Sequence, residues 1–444
     1  MAIARSTGFS TREPLALRAA ASSKPDVASW PFLRFCALYG IVTYADFFNL
    51  LGYSTSGIGA AGKYAFFLIL ILAFAHSWLR TRNLRFGFDA PTILLCFTFF
   101  ALVPFFAQLA TEGDTNSYAS AFIPTLILST AITHDPSEYS SDLTKLRDRL
   151  LQWLCVLCLL YDVELFVRAY SGLSYFSLVA NQTNHLKSIV FVAALALAHW
   201  SRRSAFYLTF ILLLALVSEI LRPSSTLLLA MAVCAPLSFF MRHRFLSAAK
   251  LWSYGLLAIA ALAPIGLYLS QDLSQWVASL DEAAKSDALG GSSNAVVRLT
   301  IMKVAFQRIE DSSWLVGEFF SGGTTVQVAN LLSFWTANYA SGLAQIHSDY
   351  VCILLEGGLI GYGAFNLALL ASARAFIQGA DGAASRPRTE MLATGVVTLS
   401  SLAIYCSVNP VLQSFQVASI PWTILLCSYV ALRTSVAKQM STVP

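Results

Sequence analysis

Two ionisable side chains lie in one largely apolar stretch, QIHSDYVCILLEGGLIGYGAF (345–365). His347 precedes the apolar run, and Glu356 lies inside it beside Gly357 and Gly358. An imidazole can exchange a proton near neutral pH, whereas a carboxylate inside an apolar span is costly. The spacing therefore predicts either a helix with a polar cap or a reaction centre at the mouth of a membrane helix.

Cationic side chains recur in other segments that the hydropathy and charge patterns place on the same side of the membrane as His347. These residues are Arg168, His185, Lys187, Arg222, Arg298, Lys303 and Arg308. Topology does not require them there, because the insertion rule disfavours positive charge on that side. Arginine donates two parallel hydrogen bonds to a phosphate. The cluster therefore predicts an anion site, and a lipid diphosphate is the anion available at such a surface.

Most of these residues also have a structural interpretation. Arg168 and Lys187 can instead extend toward lipid headgroups while their stems stay in apolar surroundings. His185 and His347 can simply cap the helices that they precede. Arg222 lies in a tight loop before a proline, where a structural role is as plausible as a binding role.

Composition predicts the class of protein. Hydrophobic residues make up 57% of the 444-residue chain and charged residues 12%, about half the share of a soluble domain. Apolar runs long enough to cross a bilayer occur about twelve times. They are 31–52, 64–79, 90–110, 116–133, 149–170, 185–200, 204–221, 224–241, 251–270, 349–376, 390–408 and 415–433. The predicted fold is an all-α polytopic membrane protein.

Positive charge alternates along the chain and predicts the topology. Lys and Arg are concentrated in both tails and in every second loop, which predicts that both termini are cytoplasmic. The predicted organisation is a cytoplasmic basic tail (1–29), nine spans (30–270), a large periplasmic loop (271–346), three further spans (347–434) and a cytoplasmic tail (435–444).

The large loop contains an amphipathic segment, SNAVVRLTIMKVAFQRIED (293–311). Its apolar residues recur at helical spacing, so a helix is predicted: Ala295, Leu299, Met302, Phe306 and Ile309. At 100° per residue Arg298 lies about 60° from the centre of this face and leans toward the protein, whereas Lys303 points away. GEFFSGGTT (317–325) then predicts a flexible turn region.

The order of these features resembles the superfamily of O-antigen ligases and Wzy-type polysaccharide polymerases. The resemblance rests on about twelve spans with cytoplasmic termini, a large periplasmic loop, and two motifs within 292–365. They are VVRLTIMKVAF followed by WLVGEFFSGG, and HSDYVCILLEGGLIG. Two departures are Ser348, where the family more often has Asn, and RPSST around Arg222, where it often has Ser-Arg.

The resemblance implies a membrane glycosyltransferase of the GT-C-like type in the bacterial inner membrane, with a periplasmic active site. Such a polymerase joins repeat units carried on undecaprenyl diphosphate into an exopolysaccharide or O antigen, with inversion. Arg298 would hold the diphosphate, and His347 would act as the base or orient the acceptor hydroxyl. No metal, cofactor or nucleic acid is expected. A flippase and a chain-length regulator are candidate partners.

Two alternatives stay open at this stage. A ligase that moves finished glycan onto lipid A core or a protein would share the same residues and topology. A twelve-span transporter is an alternative of another class, but the short join SRR (201–203) and the off-centre loop do not favour it. Glu356 lies about 13 Å along the helix from His347 at 1.5 Å per residue. It is therefore interpreted as structural, beside glycines that let a neighbouring helix approach.

Overall fold

The computed structural model describes residues 225–269, 292–318, 325–327, 343–383 and 385–408, with single residues within 151–163, 205–216, 421–432 and at 275, 411 and 412. The predicted tails and the first four spans lie outside the described residues. So do the sequence-predicted site residues Arg168, His185, Lys187 and Arg222.

The described part of the chain is mostly helical. Its elements are α1 (Ser225–Arg242), α2 (Leu246–Leu269), α3 (Ser292–Asp311), β1 (Thr325–Gln327), β2 (Leu343–Gln345), α4 (Asp349–Asp381) and α5 (Arg386–Val408). The two strands pair antiparallel, with Thr325 opposite Gln345. This small sheet departs from the all-α prediction. Strands of three residues carry too little alternation to be recognised in a sequence.

Three of these helices are long and apolar enough to cross a membrane. Within the described residues they are Leu246–Leu269, Asp349–Asp381 and Arg386–Ser407. They coincide with the predicted spans 251–270, 349–376 and 390–408. The eighth predicted span, 224–241, coincides with α1.

Helix α5 lies at the centre of the described helices and packs against α1, α2 and α4. Small polar side chains join it to its neighbours: the hydroxyls of Ser253 and Ser400 lie 3.1 Å apart, and that of Ser428 donates to the carbonyl of Met391 at 2.8 Å. Lipid tails are as apolar as leucine, so helix association in a bilayer depends on such close packing and hydrogen bonds.

The helices run antiparallel and define two ends. The Tyr362 hydroxyl of α4 donates to the carbonyl of Ala261 in the middle of α2. The charge of Arg374, toward the end of α4, acts on Tyr254, toward the start of α2, so the turns between α1 and α2 and between α4 and α5 fall at one end, which we call the basic end. Its cationic residues are Arg242, Arg244, Lys250, Arg374, Arg386 and Arg388. The opposite end, where α3 and the sheet lie, is called the site end.

Helix α3 docks on the site end through the apolar face that its periodicity predicts. Met302, Phe306 and Ile309 are buried. The Phe306 ring stacks on Tyr268 near the end of α2, with ring centroids 4.6 Å apart. The Tyr268 hydroxyl also donates to the carboxylate of Glu310. Aromatic burial combined with a hydrogen bond fixes α3 across the mouth of the bundle.

Helix α4 is interrupted at Gly358, whose φ of 57° and ψ of −161° are non-helical. In a continuous helix the amide of Leu359 would donate to the carbonyl of Leu355. Instead that amide donates to the carbonyl of Trp314 at 2.9 Å, and the carbonyl of Leu355 accepts from the amide of Glu318 at 2.8 Å. The backbone groups released by the break are therefore satisfied by residues 313–318, which we call the insert.

Two glycines allow the insert to approach this closely. Gly317 also has a positive φ, of 65°. A Cβ atom on Gly317 would lie 2.7 Å from the amide nitrogen of Gly358, and one on Gly358 would lie 2.5 Å from that of Gly317. Two predictions from the sequence are therefore wrong: α4 is not one continuous helix, and the segment that approaches Gly358 is a loop rather than a helix.

The break divides α4 into two pieces with different surroundings. Every side chain from Ser348 to Leu355 is buried, and large exposed apolar side chains begin at Leu359 and Ile360. The whole helix has 33 residues, or about 50 Å, which exceeds a hydrocarbon core of about 30 Å. The piece from Leu359 onward, about 34 Å long, suffices to span it. The first piece is enclosed by protein.

Replacing either glycine of the contact by alanine should destabilise the protein. Gly358→Ala and Gly317→Ala each impose a left-handed backbone on a residue with a Cβ, which costs at least about 1 kcal/mol before any clash is counted. The thermal midpoint of the purified protein in detergent is the measurement. Gly363→Ala is the matched control, because a Cβ there meets nothing within 4 Å; an equal midpoint for all three variants would contradict the packing described.

Candidate functional site

His347 is held at the site end by the residues on either side of it. Strand β2 ends at Gln345, and Ile346 is fully buried. Ser348 then caps α4: its hydroxyl accepts from the amide of Val351 at 3.4 Å and donates to the carbonyl of Cys406 at 3.3 Å. The sequence left open whether His347 itself caps the helix. The cap is Ser348, so the imidazole is not used for that purpose.

Asp349 fixes the same turn to the chain that follows α5. Its carboxylate oxygen Oδ2 accepts from the amides of Val411 and Leu412, at 2.6 and 2.7 Å, and its side chain is buried. Hydrogen bonds to a charged acceptor are roughly twice as strong as neutral ones. The start of α4 is therefore anchored to two separate parts of α5 and its continuation.

Arg298 lies in the second turn of α3 and is partly buried. Burial lowers the pKa of its guanidinium. Burial, followed by the positive charge of Arg298, lowers the pKa of His347 to about 4. The two side chains are thus close enough to interact electrostatically, although they are far apart in sequence. The structure brings together the two residues that the sequence placed at the centre of the site.

His347 is neutral at physiological pH, since its pKa lies well below 7. An unfolded chain would bind a proton at this residue near the ordinary value of 6.5. Because the folded pKa is depressed, the unfolded state binds more protons between about pH 6.5 and 4. The contribution of His347 to stability is complete above that interval and is lost as the pH falls through it.

Arg308 and Glu318 link the elements around this pair. Nε and Nη2 of Arg308 donate to the two carboxylate oxygens of Glu318, at 3.0 and 2.5 Å, and Nη1 donates to the carbonyl of Thr325 at 2.7 Å. From the sequence, Arg308 is one of the cations that topology does not require, but neither it nor Glu318 is assigned a role in the predicted site. Arg308 lies in the predicted helix and Glu318 ten positions later in the predicted turn region, and this spacing provides no local signal for such a pair.

Lys303 and Glu356 are two further residues that the sequence singled out and the structure describes. Lys303 is partly buried on α3, about 140° around the helix from Arg298 at 100° per residue. Glu356 is 2% exposed in the first piece of α4, so protein surrounds it, in agreement with a structural role. Among the described residues no group of three His, Cys, Asp or Glu side chains could hold a metal ion.

Comparison with known proteins adds no relative. No family model matches this chain, and no curated protein matches it.

Removing the charge of Arg298 should raise the pKa of His347. Because burial is the larger cause of the depression, Arg298→Gln is expected to raise the pKa from about 4 by about one unit, without restoring 6.5. The pH dependence of hydrogen–deuterium exchange at the imidazole C2 position, followed by mass spectrometry, measures it for each histidine. His243 at the basic end is the internal reference. An unchanged His347 profile would show that the two side chains do not interact.

Neutralising Asp349 should loosen the start of α4. Asp349→Asn removes the charged acceptor of two buried amides, and we expect the free energy of unfolding to fall by about 1–3 kcal/mol. Chemical denaturation in detergent gives the value. Asp381→Asn makes the same change at an exposed position of the same helix and should stay within about 0.5 kcal/mol of the wild type. Equal effects at both positions would contradict the anchoring role.

Proposed function

We propose that this protein is a membrane glycosyltransferase that polymerises lipid-linked oligosaccharides. The observation that carries the proposal is the pairing of a partly buried arginine with a neutral histidine at the end of the bundle opposite the basic loops. In the proposed reaction the donor is a glycan on undecaprenyl diphosphate. The acceptor is a hydroxyl of a second lipid-linked unit, and the product is an exopolysaccharide or O antigen.

The proposed topology has about twelve spans with both termini in the cytoplasm of a bacterial cell. It is supported by the charge alternation of the sequence and by the position of the basic end, where α1, α2, α4 and α5 and their turns carry Arg and Lys. On this topology the site end faces the periplasm, and residues 271–346 form a periplasmic loop whose helix α3 packs on that end.

In the proposed mechanism the acceptor oxygen attacks the anomeric carbon, and the bond from that carbon to the diphosphate oxygen breaks. Direct displacement inverts the configuration. The proton of the acceptor hydroxyl passes to His347, and the negative charge that develops on the diphosphate is stabilised by Arg298. Preorganised positive charge at a leaving group is typically one of the largest contributions to catalysis, and a protein-enclosed site strengthens it.

The low pKa of His347 determines how strong a base this residue is in the proposed mechanism. An imidazole with a pKa of about 4 is neutral and can accept a proton, but it is a weak base. A diphosphate bound at Arg298 would place negative charge beside both side chains. Opposite charge nearby favours the protonated imidazole, so donor binding would raise the pKa of His347. The residue would become a stronger base when the leaving group is in place.

Deleting the gene in the native host tests the proposed reaction. Loss of polymerisation is expected to leave single repeat units on the lipid carrier, which mass spectrometry of extracted lipid-linked glycans detects. Long chains stranded on the carrier would instead indicate a ligase. Accumulation of neither species would refute the assignment to lipid-linked glycan transfer.

Complementing that deletion with variants tests the site. Arg298→Ala and His347→Ala are each expected to reduce polymer formation by at least about 100-fold, the usual effect of removing an electrostatic stabiliser or a general base. Arg374→Gln removes a charge at the exposed basic end of α4 and should complement fully. Normal polymer from a well-expressed His347 or Arg298 variant would remove that residue from the mechanism.

A further inference from the structure

Arg308 joins three segments that build the site end. It lies on α3, its fork binds both carboxylate oxygens of Glu318 in the insert, and its third hydrogen bond reaches the carbonyl of Thr325 in β1. The side chains of Arg308 and Glu318 are 27% and 17% exposed, so water screens this ion pair less than a surface pair. One guanidinium therefore holds α3, the insert and the sheet together.

The two partners of Arg308, β1 and the insert, are each connected to the chain next to His347. Thr325 is paired with Gln345, two positions before the histidine. The amide of Glu318 donates to the carbonyl of Leu355 at 2.8 Å, in the first piece of α4, which begins directly after His347. Arg308 is thus connected to the histidine from both sides along the chain. It also shares a rigid helix with Arg298, so its contacts bear on the separation of the two proposed catalytic side chains.

We propose that Arg308 is a positioning residue: it sets the placement of His347 relative to Arg298 by clamping α3 to β1 and to the insert. Three of its donors are engaged by Glu318 and Thr325. Its effect on the reaction is therefore transmitted through these partners. This positioning role rests on the proposed function for its catalytic meaning, but the placement of the two side chains can be measured without any substrate.

The Arg308→Lys variant separates the effect of hydrogen-bond geometry from the effect of positive charge. It keeps the positive charge and can form an ion pair with Glu318. It lacks the planar fork, so it cannot bind two carboxylate oxygens and a backbone carbonyl at once. A residue that acts only through its charge would tolerate this change, whereas a clamp would not.

The pH dependence of C2 exchange at His347 reports the placement directly. Arg298 is the charged group that faces His347 from α3, and Asp349 follows it on α4 with its carboxylate bound by the amides of Val411 and Leu412. Arg308→Lys should raise the midpoint of the His347 profile by up to about one pH unit, because the charge of Arg298 acts at a greater distance. The double variant Arg298→Gln/Arg308→Lys should shift no further than Arg298→Gln alone.

Arg386→Lys is the matched control. Arg386 also pairs with a glutamate, since its Nε donates to Glu390 at 2.9 Å, but it lies at the basic end. This variant should leave the His347 profile unchanged. Circular dichroism of each purified variant establishes that it is folded.

Three results would overturn the positioning role. One is a wild-type His347 profile in folded Arg308→Lys protein, even if its thermal midpoint falls, because the pair would then only stabilise. Another is a double variant whose shift equals the sum of the single shifts. The third is loss of folding in Arg308→Lys, which would make the pair a general folding requirement. A shifted profile together with intact polymerisation by Arg308→Lys and His347→Ala would support the placement while refuting the proposed function.

Discussion

The site end depends on how the backbone of α4 is satisfied at Gly358. A helix interrupted within a membrane protein leaves amides and carbonyls that neither lipid nor apolar side chains can satisfy. Here the insert supplies both kinds of partner: its Trp314 carbonyl accepts from the amide of Leu359, and its Glu318 amide donates to the carbonyl of Leu355. These bonds are possible because Gly317 and Gly358 have no Cβ atoms. The insert is therefore joined to α4 through backbone atoms, whose positions vary less than those of side chains.

This contact explains why the first piece of α4 can carry ionisable groups. His347, Asp349 and Glu356 all precede the break, where the helix is enclosed by protein, and the large exposed apolar side chains begin only at Leu359. A carboxylate in such a position has protein groups around it and does not face hydrocarbon, which lowers the cost of keeping it there. The division of α4 thus separates a polar, site-building piece from an apolar piece long enough to span the bilayer.

The features that the sequence predicts correctly are local ones. The helical period of 293–311 gives the buried face of α3 and the inward lean of Arg298, and the apolar runs give four of the helices to within a few residues. The features it does not predict depend on contacts between distant segments. Two glycines in an apolar run are typical of close helix packing, so nothing local distinguishes the break at Gly358. The Arg308–Glu318 pair and the three-residue strands likewise join residues that are ten or more positions apart in the chain.

A site that is built partly from a loop must still hold its side chains precisely. Loops provide the variety that binding requires, but they hold catalytic groups less precisely than helices do. In this protein the loop residue Arg298 belongs to a helix whose aromatic face is fixed on α2 by Tyr268, and His347 begins a helix that is anchored by Asp349. Each side chain is therefore rigid within its own element. The relation between the two elements is set by the insert and the strand pair, which Arg308 joins to α3. A displacement of one element relative to the other would therefore change the electrostatic interaction between Arg298 and His347.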